Sequence, residues 1–349
     1  MVTCRPMARR GGGVGLARGA WSAAGAVALA LGLLSCDGKQ VVQPPATGVL
    51  WERLTPTSYP NCLFPDVRVD SLLYSTDVPL QVGVDGNGNP IYQFYGRIAV
   101  SGIDGLNPVR IGFLGPAPWY NLRPRWVSPQ RMVFMDNRQG TYDIWYKNLE
   151  DFDEYRLTNF PTHEAAPTPR PGTAGLVYVE LRPSPTSAYS PGRLVLIPDT
   201  TATPLERIYL TPDSLLCTDP DWDPTGSKLC FSVVNSVDFT QHIYTLNLAP
   251  GDSLPIQITV GPAHDAQPRW SPDGGRILFS SDRTARSGVW VVHPSGEANG
   301  IQLVSFDDTG ATTLSPTWTA DGMGIILSSN GRGGVRSLWL LSNLPVFGF

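Results

Sequence analysis

The chain of 349 residues is 42% hydrophobic, 10% aromatic and 16% charged, with 36 glycines and 33 prolines. That apolar fraction is ample for a core and excludes a disordered, charged tail protein; so many helix breakers exclude a protein of long helices. A net charge of −4 implies no basic surface for nucleic acid, which leaves a loop-rich, all-β globular chain.

Arg5, Arg9, Arg10 and Arg18 precede or border an uncharged apolar run from Gly19 to Leu34. A basic start followed by roughly 15 apolar residues reads as a secretion signal, too short for a comfortable membrane span. The run ends Leu33-Leu34-Ser35-Cys36, which resembles the bacterial lipobox. That resemblance implies cleavage before Cys36 and acylation of Cys36, whose several acyl chains would anchor stably where one would not. The alternative is an ordinary cleavable signal with a chance cysteine. Residues 1–35 are thus expected to be the signal, and 36–47, with Pro44-Pro45, a lipidated tether. Losing the signal removes four of the 26 basic residues and none of the 30 acids, so the net charge moves from −4 to −8.

Cys62, Cys217 and Cys230 remain, an odd number for an oxidising compartment. The hairpin register expected below sets Cys217 and Cys230 about four residues out of alignment, or ~13 Å by strand rise. That exceeds disulfide reach, so all three are expected to be buried thiols.

From residue 48 onward one grammar recurs. Gln267-Pro268-Arg269-Trp270-Ser271-Pro272-Asp273-Gly274 precedes an apolar strand from Ile277 and another from Val289. Close copies begin at Asp219-Pro220, Ser315-Pro316 and Arg123-Pro124, with weaker ones at Ala166-Pro167 and Phe64-Pro65. A period of about 50 residues with four short strands per unit predicts a β-propeller. Ser-Pro-Asp-Gly supplies a turn, with φ fixed at Pro and positive φ allowed at Gly. The tryptophans of the first and third strands are expected to pack between blades. The last unit lacks an outer strand, and Leu50-Trp51-Glu52-Arg53-Leu54-Thr55 supplies one. The fold expected is therefore an all-β, six-bladed propeller over residues 48–343, with four-stranded antiparallel blades. Its ring is closed by the N-terminal strand, residues 49–55, and an apolar tail, residues 344–349, either packs beneath it or binds a partner.

The repeat, Pro-x-Trp-Ser-Pro-Asp-Gly-x-x-Ile-x-Phe-x-Ser with Arg-Leu-Thr ahead of it, resembles the TolB-type propeller family of the bacterial envelope. The resemblance covers about residues 48–343 and implies a cell-envelope location, but the repeat marks a fold and no single function.

No Gly-x-Ser-x-Gly elbow, His-Glu-x-x-His helix or phosphate loop is present. Three and four residues before the anchor proline stand His163-Glu164, His264-Asp265 and Tyr120-Asn121. As the start of innermost strands, these six side chains are expected to ring one mouth of the channel. The two His–carboxylate pairs suit a partner's polar group or a cation; the alternative is that each carboxylate only holds the backbone where its strand begins. Asp85-Gly86-Asn87-Gly88-Asn89 resembles the start of a calcium loop, but Gly96 stands where the bidentate acid belongs, which favours a plain turn. The loops at 79–94 and Pro183–Pro191 are expected on the rim, and Asp136–Arg138 and Asp282–Arg283 as turn-stabilising pairs. These features predict a non-enzymatic, lipid-anchored, monomeric scaffold without cofactor or metal, binding an envelope protein or peptide and no nucleic acid. The alternative is a propeller enzyme or carbohydrate-binding protein of the lyase or hydrolase type, with a metal or ligand at the channel mouth.

Overall fold

The computed structural model describes residues 41–42, 50–56, 58–111, 120–183, 189–249, 254–284, 287–296, 301–305, 312–331 and 335–344. The signal segment, Cys36, most of the tether and residues 345–349 lie outside them.

Among the described residues the named elements are strands. β1 (Val41–Val42) and β2 (Leu50–Arg53) are followed by β3 (Leu63–Arg68), β4 (Ser71–Val84), β5 (Pro90–Gly102) and β6 (Val109–Ile111). Next come β7 (Asn121–Ser128), β8 (Arg131–Asp136), β9 (Asp143–Asn148) and β10 (Glu154–Arg156). β11 (His163–Pro169), β12 (Leu176–Pro183), β13 (Tyr189–Ile197) and β14 (Ile208–Tyr209) lead to β15 (Leu216–Trp222), β16 (Lys228–Val234), β17 (Gln241–Asn247) and β18 (Ile256–Gln257). The chain continues through β19 (Ala266–Trp270), β20 (Ile277–Ser281), β21 (Gly288–Val292) and β22 (Ile301–Ser305) to β23 (Thr313–Trp318), β24 (Ile325–Ser329) and β25 (Ser337–Ser342).

The turn chemistry explains the hairpins. Gly274 takes φ +72 after Ser271-Pro272-Asp273 and donates to the Ser271 carbonyl at 2.9 Å. The Ser271 hydroxyl accepts from Arg276 N at 2.9 Å and donates to Asp273 at 2.5 Å. β3–β6, β7–β10 and β19–β22 form separate four-stranded antiparallel sheets. β11–β14 and β15–β18 are instead joined into one eight-stranded sheet through the single pair Gly192↔Cys217. That junction follows a register shift between Glu180 and Arg182, and a Cβ at Gly192 would lie 1.8 Å from the Glu180 carbonyl. Hydrogen bonding therefore does not divide the ring as evenly as the repeat does.

The closure expected of the N-terminal strand is present. β2 pairs with β25, Leu50 opposite Ser342 and Arg53 opposite Trp339. Thr55 accepts the Leu338 N–H at 2.9 Å. Thr158, Thr211 and Thr259 do the same for Ile144, Leu194 and Ile243 at 2.8–3.0 Å. The threonine of Arg-Leu-Thr is thus a side-chain rung that extends a very short outer strand, and Arg53-Leu54-Thr55 supplies it to the last sheet from the other end of the chain.

Packing is between faces. Each of six clusters among the described residues joins consecutive repeats, from Leu73, Trp126 and Trp145 in one to Leu54, Tyr74 and Ile326 in the one that spans the closure. The recurring tryptophans sit in these seams. Burying such a side chain contributes about 1.5–3 kcal/mol. Cys62, Cys217 and Cys230 are buried and unbridged; Cys217 lies opposite Val233, and Cys230 opposite Asp221. Two rim expectations change. Residues 79–94 form no loose loop, because β4 and β5 run on as a ladder to a tight turn where Asp85 accepts from Asn87 N and Asn89 N at 2.8 and 2.9 Å. Asp282 and Arg283 do not pair with each other: Asp282 accepts the His264 N–H and Arg283 reaches Asp265.

Candidate functional site

The anchor prolines organise the axis. Phe64, Arg123, Ala166, Asp219, Gln267 and Ser315, each directly before its proline, all have φ between 49 and 56. Such a backbone is sparsely populated for a side chain with a Cβ, and costs of order 1–3 kcal/mol. In each strand a register shift falls at this point, between Leu63 and Asp66 or Leu122 and Arg125, for example. A bulge here re-aims the residues that flank the proline. Together they line one cleft on the axis, about 400 Å³ including its open mouth, walled by Pro124, Pro167, Pro220 and Pro268.

Arg123, with 26% of its side chain exposed, pairs with Asp219 in this cleft. Its guanidinium lies over the Phe64 ring at 4.2 Å, and its backbone N–H is held by Ser75 at 3.1 Å. Asp219 also accepts from the Thr218 hydroxyl at 3.0 Å, and Gln267 accepts from Ser315 N.

Beneath lies a second layer, the residues directly after each proline: Asp66, Arg125, Thr168, Asp221, Arg269 and Thr317. The order Asp-Arg-Thr occurs twice around the axis. Arg125 pairs with Asp221 and lies 3.4 Å from Asp66, and Arg269 lies 3.2 Å from Asp221 and 3.9 Å from Asp66. Asp66 and Asp221 also accept the backbone N–H of Trp126 and Trp270 at 2.7 and 2.9 Å. Burial pushes both carboxyls up, and the Arg125 charge works against that shift. Burial also opposes the Arg125 charge, but Asp66 and Asp221 outweigh it and hold the guanidinium's pKa above its usual value. The layer is a charge-balanced neck across the axis.

None of Tyr120, Asn121, His163, Glu164, His264 and Asp265 lines the cleft. The residues three before each proline, Cys62, Asn121, Glu164, Cys217, Asp265 and Thr313, are all buried in the seams between sheets. Glu164 accepts from Thr158 and Thr162 at 3.0 and 2.7 Å, and His163 Nδ1 accepts the Tyr142 N–H at 2.9 Å. Asp265 accepts from Ser281 and Arg283 at 2.6 and 2.7 Å, with His242 3.6 Å away. Asn121 donates to Asp136, which also holds Arg138, and Tyr120 N donates to Asn137 at 2.8 Å. Glu164 and Asp265 are therefore each held in a seam of their own, while His264 is exposed and His163 half-buried. Among the described residues no three His, Cys, Asp or Glu side chains cluster as a metal ion would need. The residues that do meet at the axis are the two positions flanking each anchor proline, which the sequence marks only as part of the repeat.

Residues 199–340 match the model of the TolB beta propeller domain family. A curated relative, the uncharacterized peptidase YuxL of Bacillus subtilis, is 30% identical over 123 residues. The match takes in 32% of this chain and 17% of that protein, so the chain spans about a sixth of its length. Among solved structures, TolB from Acinetobacter baumannii aligns with TM-score 0.52 at 14% identity, over 80% of this chain and 79% of that one. Oligogalacturonate lyase from Vibrio parahaemolyticus aligns with TM-score 0.56 at 13% identity, over 87% and 96%. At such identities the two share a fold with this chain. The expectation of a chain without enzymatic activity is corrected by these names, a peptidase and a lyase. It rested on contiguous motifs, and a site that draws one residue from each innermost strand leaves none. The chain has a β-propeller fold, and its residues 199–340 match the TolB beta propeller domain.

Proposed function

We propose that the chain is a propeller of the lyase or hydrolase type, or a carbohydrate-binding relative of that type, taking its ligand in the axial cleft. The observation that carries this reading is the convergence of Arg123, Asp219 and Gln267 on one cleft through six like-shaped bulges. Arg123 would hold a polar or anionic group of the ligand, Asp219 is placed to accept a proton, and the neck beneath fixes both in position. The likeness to a protein named a lyase supports the reading at the level of fold.

In this reading the eight-stranded sheet counts as two blades, giving six. The protein is taken to be a monomer of the cell envelope, lipid-anchored through Cys36. A peptide or protein partner would find the long hairpin β4–β5, where Val82, Val84, Ile91 and Tyr92 are exposed.

The test is an activity screen of the purified chain on acidic and neutral oligosaccharides, lactones and peptide amides, with Arg123→Gln and Asp219→Asn variants. Turnover of one class, reduced at least about tenfold by either variant, a loss of ~1.4 kcal/mol of transition-state stabilisation, supports the cleft. Turnover that both variants leave intact would remove it.

A further inference from the structure

The cleft's charges are not equally committed. In the neck, Arg125 engages Asp66, Asp221 and Thr168, and Arg269 engages Asp66 and Asp221. Each neck acid carries a tryptophan N–H as well. Arg123 has one carboxylate partner, Asp219, and its side chain is 26% exposed against 15% for Arg125 and 14% for Arg269. The Phe64 ring backs it, which holds the guanidinium in place at the mouth. The four prolines of the wall have no N–H to offer an anion, and the other two arginines of the lining, Arg125 and Arg269, are held by the neck acids. A group with the shape and charge of a carboxylate already sits on Arg123, in the form of Asp219.

We propose that the ligand of this cleft carries a carboxylate, which replaces Asp219 on the Arg123 guanidinium. The proposal rests on the cleft being the ligand site and adds the class of group that it recognises. A planar guanidinium pairs with a carboxylate through two parallel hydrogen bonds, and a carboxylate, that of Asp219, is the group it already holds. Asp219 then acts as an internal competitor, released toward Thr218 when the ligand enters. The carboxylate can come from an acidic sugar or from a peptide C-terminus, and the chemistry at Arg123 is the same.

Calorimetric titration of the purified full chain separates these possibilities with four probes: trigalacturonate, its methyl ester, trialanine and trialanine amide. The expected result is binding of one free acid, at least about tenfold weaker binding of its neutral derivative, and the same loss in Arg123→Gln. The acid that binds names the source. Asp219→Asn is expected to bind that acid more tightly, since it removes the competitor's charge; a gain of affinity cannot come from misfolding. If a neutral derivative binds as well as its acid, and Phe64→Ala weakens both, the carboxylate proposal falls while the cleft stands as the ligand site. If binding of every probe is unchanged in Arg123→Gln, Asp219→Asn and Phe64→Ala, the proposal and the cleft reading fall together.

Discussion

The hydroxyl of Thr55 accepts the backbone N–H of Leu338 at 2.9 Å, across 283 residues of chain. Both groups are buried, and the contact repeats what Thr158, Thr211 and Thr259 do within their own sheets. Closing the ring therefore uses the same rung as building any other sheet.

Thr55→Val keeps the shape and removes the acceptor. Leaving the Leu338 N–H unpaired should cost about 1–3 kcal/mol. Urea unfolding should show a lower midpoint with an unchanged slope, and deletion of residues 50–55 should cost far more. Full stability after that deletion would mean that the last sheet closes without β2.

Glu164 should make stability fall as pH rises. Burial pushes its carboxyl up from 4.5 to about 8; Thr162 and Thr158 pull it down, and Asp143 beside it pushes it further up. Below about pH 4.5 folded and unfolded chains both hold the proton. Between 4.5 and 8 only the folded chain holds it, so each step upward favours unfolding, and the loss is complete above about 8. Glu164→Gln should flatten the melting temperature across that window. An equal pH slope in wild type and variant would place the titrating group elsewhere.

The neck should be costly to break from one side. Asp221→Ala leaves Arg125 and Arg269 sharing only Asp66 in a buried layer. Removing one partner of such a network costs about 3–5 kcal/mol. Arg125→Met combined with Asp221→Ala should recover part of that loss, and denaturant unfolding of the four-member cycle measures how much. Additive losses would show that the two residues are not coupled.

The thiols should be silent in the folded protein. Burial pushes Cys62 up to about 11 and Cys217 up to about 12, so neither supplies thiolate near neutral pH. An aromatic disulfide reagent should label the three thiols only as the chain unfolds, and a reductant should leave the melting temperature unchanged. Fast labelling of Cys62, Cys217 or Cys230 in the folded chain, located by mapping the modified peptides, would contradict their burial.

The ring was legible because its evidence is repeated. Six prolines at near-regular spacing, Ser-Pro-Asp-Gly turns and a missing outer strand matched by Arg53-Leu54-Thr55 each constrain one architecture. The axial site was not legible in the same way. Expecting Glu164 and Asp265 at the mouth rested only on their place at the start of the innermost strands, which does not fix where a side chain points. The bulge before each proline breaks the even alternation of side chains along the strand. Glu164 and Asp265 consequently point into seams, while Arg123, Asp219 and Gln267 reach the axis. The expectation of no enzymatic activity rested on contiguous motifs, and residues such as 123, 219 and 267, which meet from three strands, leave no local pattern to find.

The ion pairs of Asp66, Arg125, Asp221 and Arg269 join repeats that are not neighbours: Arg125 reaches Asp221 two repeats on, and Arg269 reaches Asp66 across the closure. The sheets are thus tied across the axis as well as around it. Loosening one sheet is then felt on the far side of the ring, which seams between neighbours alone would not convey.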